Sequence, residues 1–328
     1  MPARNEAAEL KRLFAALERL DVRGERTVSI CLFLDSCIDD SVSLAKAYAA
    51  VSLHRVFIAR DNVATTTAGR ARHRAMTMGM AAVASSDGIL LTTDADSMPM
   101  PSWLEATVAA LDHADIVMGK VIRTGRDPHA LQDRIERYYD ALHALRRRLD
   151  PVPWEAVATH HQTTGANMGI RASAYRSIGG FAPVANGEDA RLADEASRAG
   201  LRVRRDAASI VYTSDRREGR AAGGMAQMLH MLEAADVGAV TLAHPQDAAW
   251  QYRMQAMART AYQDDRLERV SLALGLPRDH VIGVVRDCPN AEAFAMRIVP
   301  EPPAGMRIVP LAVAEDVIAR LVCGQVAA

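Results

Sequence analysis

The period of the apolar residues changes along the chain, and the changes predict its elements. Between Glu6 and Leu20, the residues Leu10, Leu13, Phe14, Leu17 and Leu20 recur at helical spacing and define one apolar face. Val28 to Leu34 is a continuous apolar and β-branched run closed by Asp35, the pattern of a buried strand. A helix is predicted over Asp40 to Val51, a short strand over Arg55 to Ala59, and an Ala- and Met-rich helix over about Gly69 to Ala84. Gly88 to Thr93 reads as a strand ending at Asp94, Trp103 to Leu111 as a helix, and Asp115 to Gly119 as another strand. Strands alternating with helices at this spacing predict an α/β fold, with a mostly parallel sheet covered by helices on both faces. In such sheets ligands sit beyond the carboxyl ends of the strands, where Asp35-Ser36 and Asp94-Ala95-Asp96 fall.

The second half has a different rhythm. His129 to Leu149 predicts a long helix with Leu131, Ile135, Tyr138, Leu142, Leu145 and Leu149 on one side. Its basic end, Arg146-Arg147-Arg148, suits the negative pole of a helix dipole. A Pro-containing stretch leads to Gly165-Ala166-Asn167. Gly187 to Ala199 predicts a helix closed by Gly200, and Leu201 to Tyr212 an extended pair or a final strand. From Gly223 to about Gly275 the pattern is mainly helical. The expected organisation is an α/β domain over 1–225 and a mainly helical extension over 226–328. The pentapeptide Met296-Arg297-Ile298-Val299-Pro300 returns as Met306-Arg307-Ile308-Val309-Pro310. Two copies are too few for a solenoid, and they read as two extended edge segments or as chance.

Composition narrows the function. The 328 residues, 49% of them apolar, suffice for one large domain or a domain with an appendage. A net charge of −1 gives no electrostatic case for a nucleic-acid partner, so an anionic ligand must be held by local arginines. Cys31, Cys37, Cys288 and Cys323 show no CxxC spacing and read as free thiols in a reducing compartment. No apolar run approaches the roughly 18–20 residues of a membrane span, and no signal-peptide order opens the chain. A cytoplasmic location is expected.

The candidate chemistry lies in four places. Asp94 and Asp96 flank a small residue, and carboxylates two apart on an extended chain point to one side. Together they can hold Mg²⁺ or Mn²⁺ and leave positions open for phosphate oxygens, although turn carboxylates or a helix cap have the same appearance. Arg216, Arg217 and Arg220 beside Gly219, Gly223 and Gly224 can close over a diphosphate, or form an exposed charged loop. His160 and His161 would point to opposite faces of one strand, and His161 is taken as a sugar or acceptor contact. Trp154 can wall an acceptor site or pack in a core.

These motifs, in this order, resemble the GT-A glycosyltransferases of family 2, over roughly residues 1 to 225. Pro2-Ala3-Arg4-Asn5-Glu6 resembles the end of the family's first strand, which implies donor contacts by Pro2, Arg4 and Glu6. Leu34-Asp35-Ser36-Cys37-Ile38-Asp39-Asp40-Ser41 resembles the D-D-G-S-x-D motif, with Asp35 as the nucleobase carboxylate and Leu34 in place of the first Asp. Gly69-Arg70-Ala71-Arg72 resembles the segment whose Arg lies near base and phosphate. Asp94-Ala95-Asp96 matches the metal and ribose motif. Gly165-Ala166-Asn167-Met168-Gly169-Ile170-Arg171 with Gly179-Gly180-Phe181 resembles the G-x-N-x-x-x-R…GGF signature on the acceptor side. Gly187-Glu188-Asp189-Ala190-Arg191-Leu192 resembles E-D-x-x-L, whose Asp is the general base; an N-terminal helix cap is the other reading of Glu188-Asp189.

The resemblance implies a nucleotide-sugar donor, UDP ahead of GDP, a divalent cation and a hydroxyl acceptor that is a small molecule or lipid-linked. A metal and arginines would neutralise the diphosphate leaving group while Asp189 takes the acceptor proton with inversion. Three rivals remain at this point. They are a retaining GT-A enzyme similar to the glucosyl-phosphoglycerate synthases, a nucleotidyltransferase, and a non-catalytic sugar-nucleotide-binding protein. The family's Q-x-x-R-W motif is missing, which points to transfer of a single sugar. The additional His ligand common near residues 213–220 is also missing, and His230 is a distant substitute. The chain opens at Met1-Pro2, where the first strand should be ending, so a truncated start is expected. The last hundred residues are expected to dock on the catalytic domain, cover the acceptor site or make a homodimer.

Overall fold

A computed structural model describes residues 1–62, 67–83, 88–125, 130–214 and 240–323. Arg217 and Arg220, with Arg216, Gly219, Gly223, Gly224 and His230, lie outside the described residues. The described residues group into two compact units: one within Met1–Arg126, Ala156–Glu195 and Val203–Met228, the other within Asp127–Glu155, Ala196–Arg202 and Leu229–Ala328.

The first unit opens with β1 (Pro2–Ala3), α1 (Ala7–Leu17), β2 (Ser29–Asp35), α2 (Ser41–Val51) and β3 (Arg55–Asp61). These strands form a parallel three-stranded sheet in the order β1-β2-β3. Leu10, Leu13, Phe14 and Leu17, the predicted helix face, pack with Ile30, Leu32 and Leu34 of β2. Phe14 stacks on Tyr48 of α2 with ring centroids 4.0 Å apart. The alternation of helix and strand gives a parallel sheet here because each helix returns the chain to the same end.

Next come α3 (Ala68–Ala82), β4 (Ile89–Thr92), β5 (Ser97–Pro99), α4 (Trp103–Leu111) and β6 (Ile116–Arg123). The Thr67 hydroxyl caps α3 by accepting from the Arg70 N–H. Further along lie β7 (Met168–Arg171), α6 (Ala172–Ser177), α7 (Glu188–Arg198) and β8 (Val203–Thr213). A second sheet has the order β4-β7-β6-β8-β5. Only β6 and β8 run parallel in it; β4–β7, β6–β7 and β5–β8 are antiparallel. The sheets are thus mixed overall, with α1, α2, α3 and α4 packed on them. The strands β5 and β7 escape the apolar pattern because they are short and, unlike the equally short β4, have no continuous apolar run. As Gly200 predicts, α7 stops at a left-handed residue, with φ +84°.

The second unit contains α5 (Ala130–Leu149), β9 (Thr241–Ala243), α8 (Pro245–Gln263), α9 (Leu267–Leu274), α10 (Arg278–Arg286), α11 (Ala291–Ile298), β10 (Ile308–Pro310) and α12 (Leu311–Val322). The predicted apolar face of α5 packs with Leu311, Ala314, Val317, Ile318 and Leu321 of α12. This unit therefore draws together two stretches that are distant in sequence. Arg259 of α8 is paired with Asp150 and Glu292. The repeated pentapeptide takes two conformations. Met306–Pro310 contributes β10, antiparallel to β9, which agrees with the extended reading. Met296–Pro300 instead begins as the last turn of α11. There the Asn290 side chain caps the helix through the Ala293 N–H, and Ile298 is buried. The cap and the burial face decide the outcome, since the five residues are identical.

Candidate active site

The first sheet brings the β1 end and the β2 end together. Asp35, the last residue of β2, is buried, and its carboxylate accepts from the Ser36 hydroxyl at 3.2 Å. Ser36 and Asn5 both adopt left-handed backbone conformations, with φ +49° and +53°. The Asn5 side chain accepts from the Ile38 N–H at 2.8 Å, and the Glu6 N–H donates to the Ser41 hydroxyl at 2.9 Å. The Asp39 carboxylate accepts from the backbone N–H groups of Ala7 and Ser41. Burial opposes its charge, but hydrogen bonds with Ser41 and Ala7 outweigh that and hold its pKa below the ordinary value. Pro2 sits in β1, Arg4 is half-buried after it, and Glu6 is buried at the start of α1. The β1–α1 turn and the β2–α2 turn are therefore tied into one surface. Asp39, absent from the expected site residues, is a principal tie.

The second sheet carries the acidic motifs. Asp94 and Asp96 are half-buried in the short link between β4 and β5, the predicted strand end. Thr92, just before them, is buried in β4. Arg72 reaches this link from α3. Its Nη2 pairs with Asp94 at 2.9 Å and its Nε donates to Glu188 at 3.0 Å. Its Nη1 donates to the Thr92 hydroxyl at 3.2 Å and to the Gly165 carbonyl at 2.8 Å. The guanidinium lies 5.8 Å from the centre of the Phe181 ring, within cation–π range. Burial disfavours its charge, but Asp94 and Glu188 more than offset that and raise its pKa above the ordinary arginine value.

Asp189 completes this arrangement. It is half-buried in the first turn of α7, next to Glu188. One carboxylate oxygen accepts from the Gly165 N–H at 3.0 Å, the other from the Ala190 N–H at 2.8 Å. The helix N-terminus favours the anion. The glycine at 165 has a steric reason: a Cβ there would lie 2.5 Å from Nε and Cζ of Arg72. The Gly179-Gly180-Phe181 signature has one as well. Both glycines have positive φ, and a Cβ on Gly180 would lie 2.5 Å from the Tyr175 ring. Tyr175 accepts from the Phe181 N–H, so this turn presents Phe181 to Arg72.

Asn167 occupies a different place from its neighbours in the motif. It is fully buried. Its Oδ1 accepts from the Trp103 indole N–H at 2.8 Å and from the Ser209 hydroxyl at 3.1 Å. Its Nδ2 donates to the carbonyls of Lys120 and Ser209. These partners flank the irregularity in the β6–β8 ladder, where Gly119 opposes Asp206 but Lys120 opposes Ile210. The Asn167 amide fills the gap left by the unpaired residues. Gln162 does similar work beside it, accepting from the Val121 N–H and donating to the Val121 carbonyl.

His160 and His161 lie outside any strand, in the segment between α5 and β7; His160 is buried and His161 half-buried. His160 Nε2 donates to the Met118 carbonyl at 3.2 Å, while Nδ1 accepts from the Gln162 N–H at 3.1 Å. This pair of bonds specifies a neutral ring. Burial, with Arg205, His161 and Lys120 nearby, pushes its pKa down to about 4. In the unfolded chain the ring protonates near 6.5. Between those values unfolding takes up a proton at His160, so its contribution to stability is complete above the unfolded pKa and is lost as pH falls toward 4. The loss amounts to up to about 3 kcal/mol. Urea titrations at about pH 7.5 and about pH 4.5 should show a steeper decline for the wild type than for His160→Gln. Parallel declines would reject this origin.

Trp154 belongs to the second unit, half-buried in the Pro-containing stretch after α5. His161 is half-buried in the first unit. Among the described residues there is no cluster of three His, Cys, Asp or Glu side chains suited to a metal, so Asp94 and Asp96 remain the candidate pair. No helix among the described residues is long and apolar enough to cross a membrane.

The first unit is thus a mixed α/β unit in which Asp94, beyond β4, and Glu188, at the start of α7, meet around one buried arginine. The model of Glycosyl transferase family 2 matches residues 1–178, more than half of the chain, and the chain belongs to this family. Three solved structures are similar to this chain. TarS from S. aureus is 15% identical with a TM-score of 0.48, over 79% of this chain and 42% of that one. The mannosyltransferase PcManGT from Pyrobaculum calidifontis, in complex with GDP-Man and Mn²⁺, is 15% identical with a TM-score of 0.49, over 90% and 84%. Glucosyl-3-phosphoglycerate synthase from Mycobacterium tuberculosis, in complex with Mn²⁺, UDP-Glc and phosphoglyceric acid, is 19% identical with a TM-score of 0.43, over 74% and 81%. The chain thus spans less than half the length of TarS. No curated protein matches it.

Proposed function

We propose that this glycosyltransferase moves a single sugar from a nucleoside-diphosphate sugar, UDP-linked ahead of GDP-linked, to the hydroxyl of a small or lipid-linked acceptor. The transfer inverts the anomeric centre, with Asp189 as general base. The observation that carries the reading is the junction at Arg72, which joins the Asp94 side of the site to Glu188 and, through Gly165, to Asp189. A donor end and a proton-accepting end held by one side chain suit a reaction that must expel a diphosphate while deprotonating an alcohol.

The residues fit a hard divalent cation. Asp94 and Asp96 offer carboxylate oxygens only, and two protein carboxylates leave room for diphosphate oxygens as further ligands. When bound there, Mg²⁺ or Mn²⁺ would neutralise charge developing on the leaving diphosphate. Asp35 with the tied β1 and β2 turns is read as the nucleobase end, with Pro2, Arg4 and Glu6 along it. His161 is read as a sugar or acceptor contact, and Arg217 and Arg220 as diphosphate contacts. Asp189, aimed by two backbone N–H groups, would accept the acceptor proton as the new bond to the anomeric carbon forms.

The reading is tested by incubating the protein with UDP-, GDP- and dTDP-hexoses and Mn²⁺, with and without simple alcohol acceptors, and following nucleoside diphosphate release. Product stereochemistry is read by NMR. Asp96→Ala should lower turnover by about 100-fold, and removal of Mn²⁺ with a chelator should do the same to the wild type. An Asp96→Ala protein that turns over at the wild-type rate would eliminate the metal assignment. A product that retains the anomeric configuration would eliminate Asp189 as base for direct displacement, and release of pyrophosphate would indicate nucleotidyl transfer instead.

A further inference from the structure

We infer that Arg72 is a positioning residue of the transfer reaction rather than a ligand of the donor diphosphate. Its role is to fix the turn that carries Asp189 relative to the carboxylate at Asp94. The inference rests on the reading of Asp189 and Asp94 given above. Four protein groups already engage the guanidinium: Asp94, Glu188, the Thr92 hydroxyl and the Gly165 carbonyl. An arginine has five N–H donors, so little remains for a phosphate. The group is also shut in. Arg72 is only 7% exposed, Phe181 lies against its guanidinium, and the absence of a Cβ on Gly165 is what lets it approach.

The arrangement reaches Asp189 by two routes. Arg72 holds Glu188, the residue directly before Asp189. It also holds the carbonyl of Gly165, whose own N–H donates to Asp189. At the other end it holds Asp94 through Nη2 and the preceding strand through Thr92. A planar guanidinium directs its donors along fixed divergent lines and can set the spacing of four groups at once. A lysine ammonium carries the charge but not the geometry. The buried Glu188 carboxylate has the Arg72 cation as its partner, while the Asp94 side chain at the other end is 36% exposed.

The test uses Arg72→Lys, Glu188→Gln and the double variant in the full chain. Turnover is followed with the nucleotide sugar that the wild type uses from the UDP-, GDP- and dTDP-hexose set. Binding of the matching nucleoside diphosphate with Mn²⁺ is measured by calorimetry. The expected result for Arg72→Lys is a kcat lowered by at least about tenfold with the nucleotide Kd within about threefold of wild type and an unchanged binding stoichiometry. The double variant should be no more than about threefold slower than the slower single, because both changes break one linkage. A nucleotide Kd raised by about tenfold with kcat retained would make Arg72 a donor ligand and overturn the proposal. A stoichiometry that falls in step with kcat would reduce its role to folding and likewise overturn it. If Arg72→Lys does not fold, Glu188→Gln decides alone: lowered kcat with unchanged nucleotide affinity supports the proposal, and unchanged kcat overturns it. A wild type that transfers or hydrolyses no nucleotide sugar would sink the reading of the function and this proposal together. An active wild type with unaffected variants would sink this proposal alone.

Discussion

Asp189→Asn should lower kcat by about a thousandfold, within the range that general-base catalysis contributes. The fold should tolerate the change. Asn keeps one acceptor oxygen for the Gly165 N–H, and the Ala190 N–H, at an exposed residue, can turn to water. The melting temperature is therefore expected to fall by no more than about 4 °C, the equivalent of about 1 kcal/mol. Nucleotide affinity should not move, because the proton is taken at the acceptor end. The base removes a proton that matters only as the acceptor attacks, so the loss should appear in kcat and kcat/KM alike, with KM for the donor unchanged. A variant with half the wild-type kcat would return Asp189 to the role of a helix-end anion. A variant that no longer binds nucleotide would move it to the donor side.

The second large effect belongs to stability. Asn167→Ala should destabilise the protein by about 3–5 kcal/mol. Four bonds end on this carboxamide, and the Trp103 and Ser209 partners are left in the interior when it is removed. Trp103 is buried, and the Lys120 and Ser209 carbonyls flank the ladder irregularity, where the strand pairing shifts. The cost comes from these stranded groups more than from the lost bonds. The same amide accounts for the glycine at 119, where a Cβ would meet it at 2.3 Å. Urea denaturation reads the loss as a lowered midpoint at constant slope. A change under about 1 kcal/mol would mean that water or a rearranged strand satisfies these groups.

Both predictions start from motifs visible along the chain, yet the motifs carried unequal information. For Asp94 and Asp96 the position was legible, because a strand must end where an apolar run meets acidic residues, and it does. For Asn167 the residue was legible but its work was not. Nothing local indicates that its amide fills a gap between β6 and β8, whose carbonyls it reaches 47 residues before it and 42 residues after it. Arg72 and Glu188 are 116 residues apart, and no periodicity in either segment announces that they pair. Asp39, Thr92 and Gln162 were passed over for the same reason, since side chains that bond to distant backbone leave no spacing to read.

Short elements were the other limit. The three residues of β5 and four of β7 gain their strand character from neighbours, and the two copies of the pentapeptide separate into helix and strand by context alone. The sequence by itself determined the α/β rhythm of the first unit, the apolar faces of α1 and α5, and the strand-end acidic residues, because each is a local consequence of hydrophobic period and chain direction. Through its ordered motifs it also indicated the glycosyltransferase family, to which the chain belongs. Only the tertiary structure decided which strands pair in parallel, which asparagine is core, which histidine is held neutral and which arginine joins two carboxylates. Those outcomes depend on burial and on bonds between segments distant along the chain, and burial determines both the charge state of a side chain and the cost of leaving it unpaired.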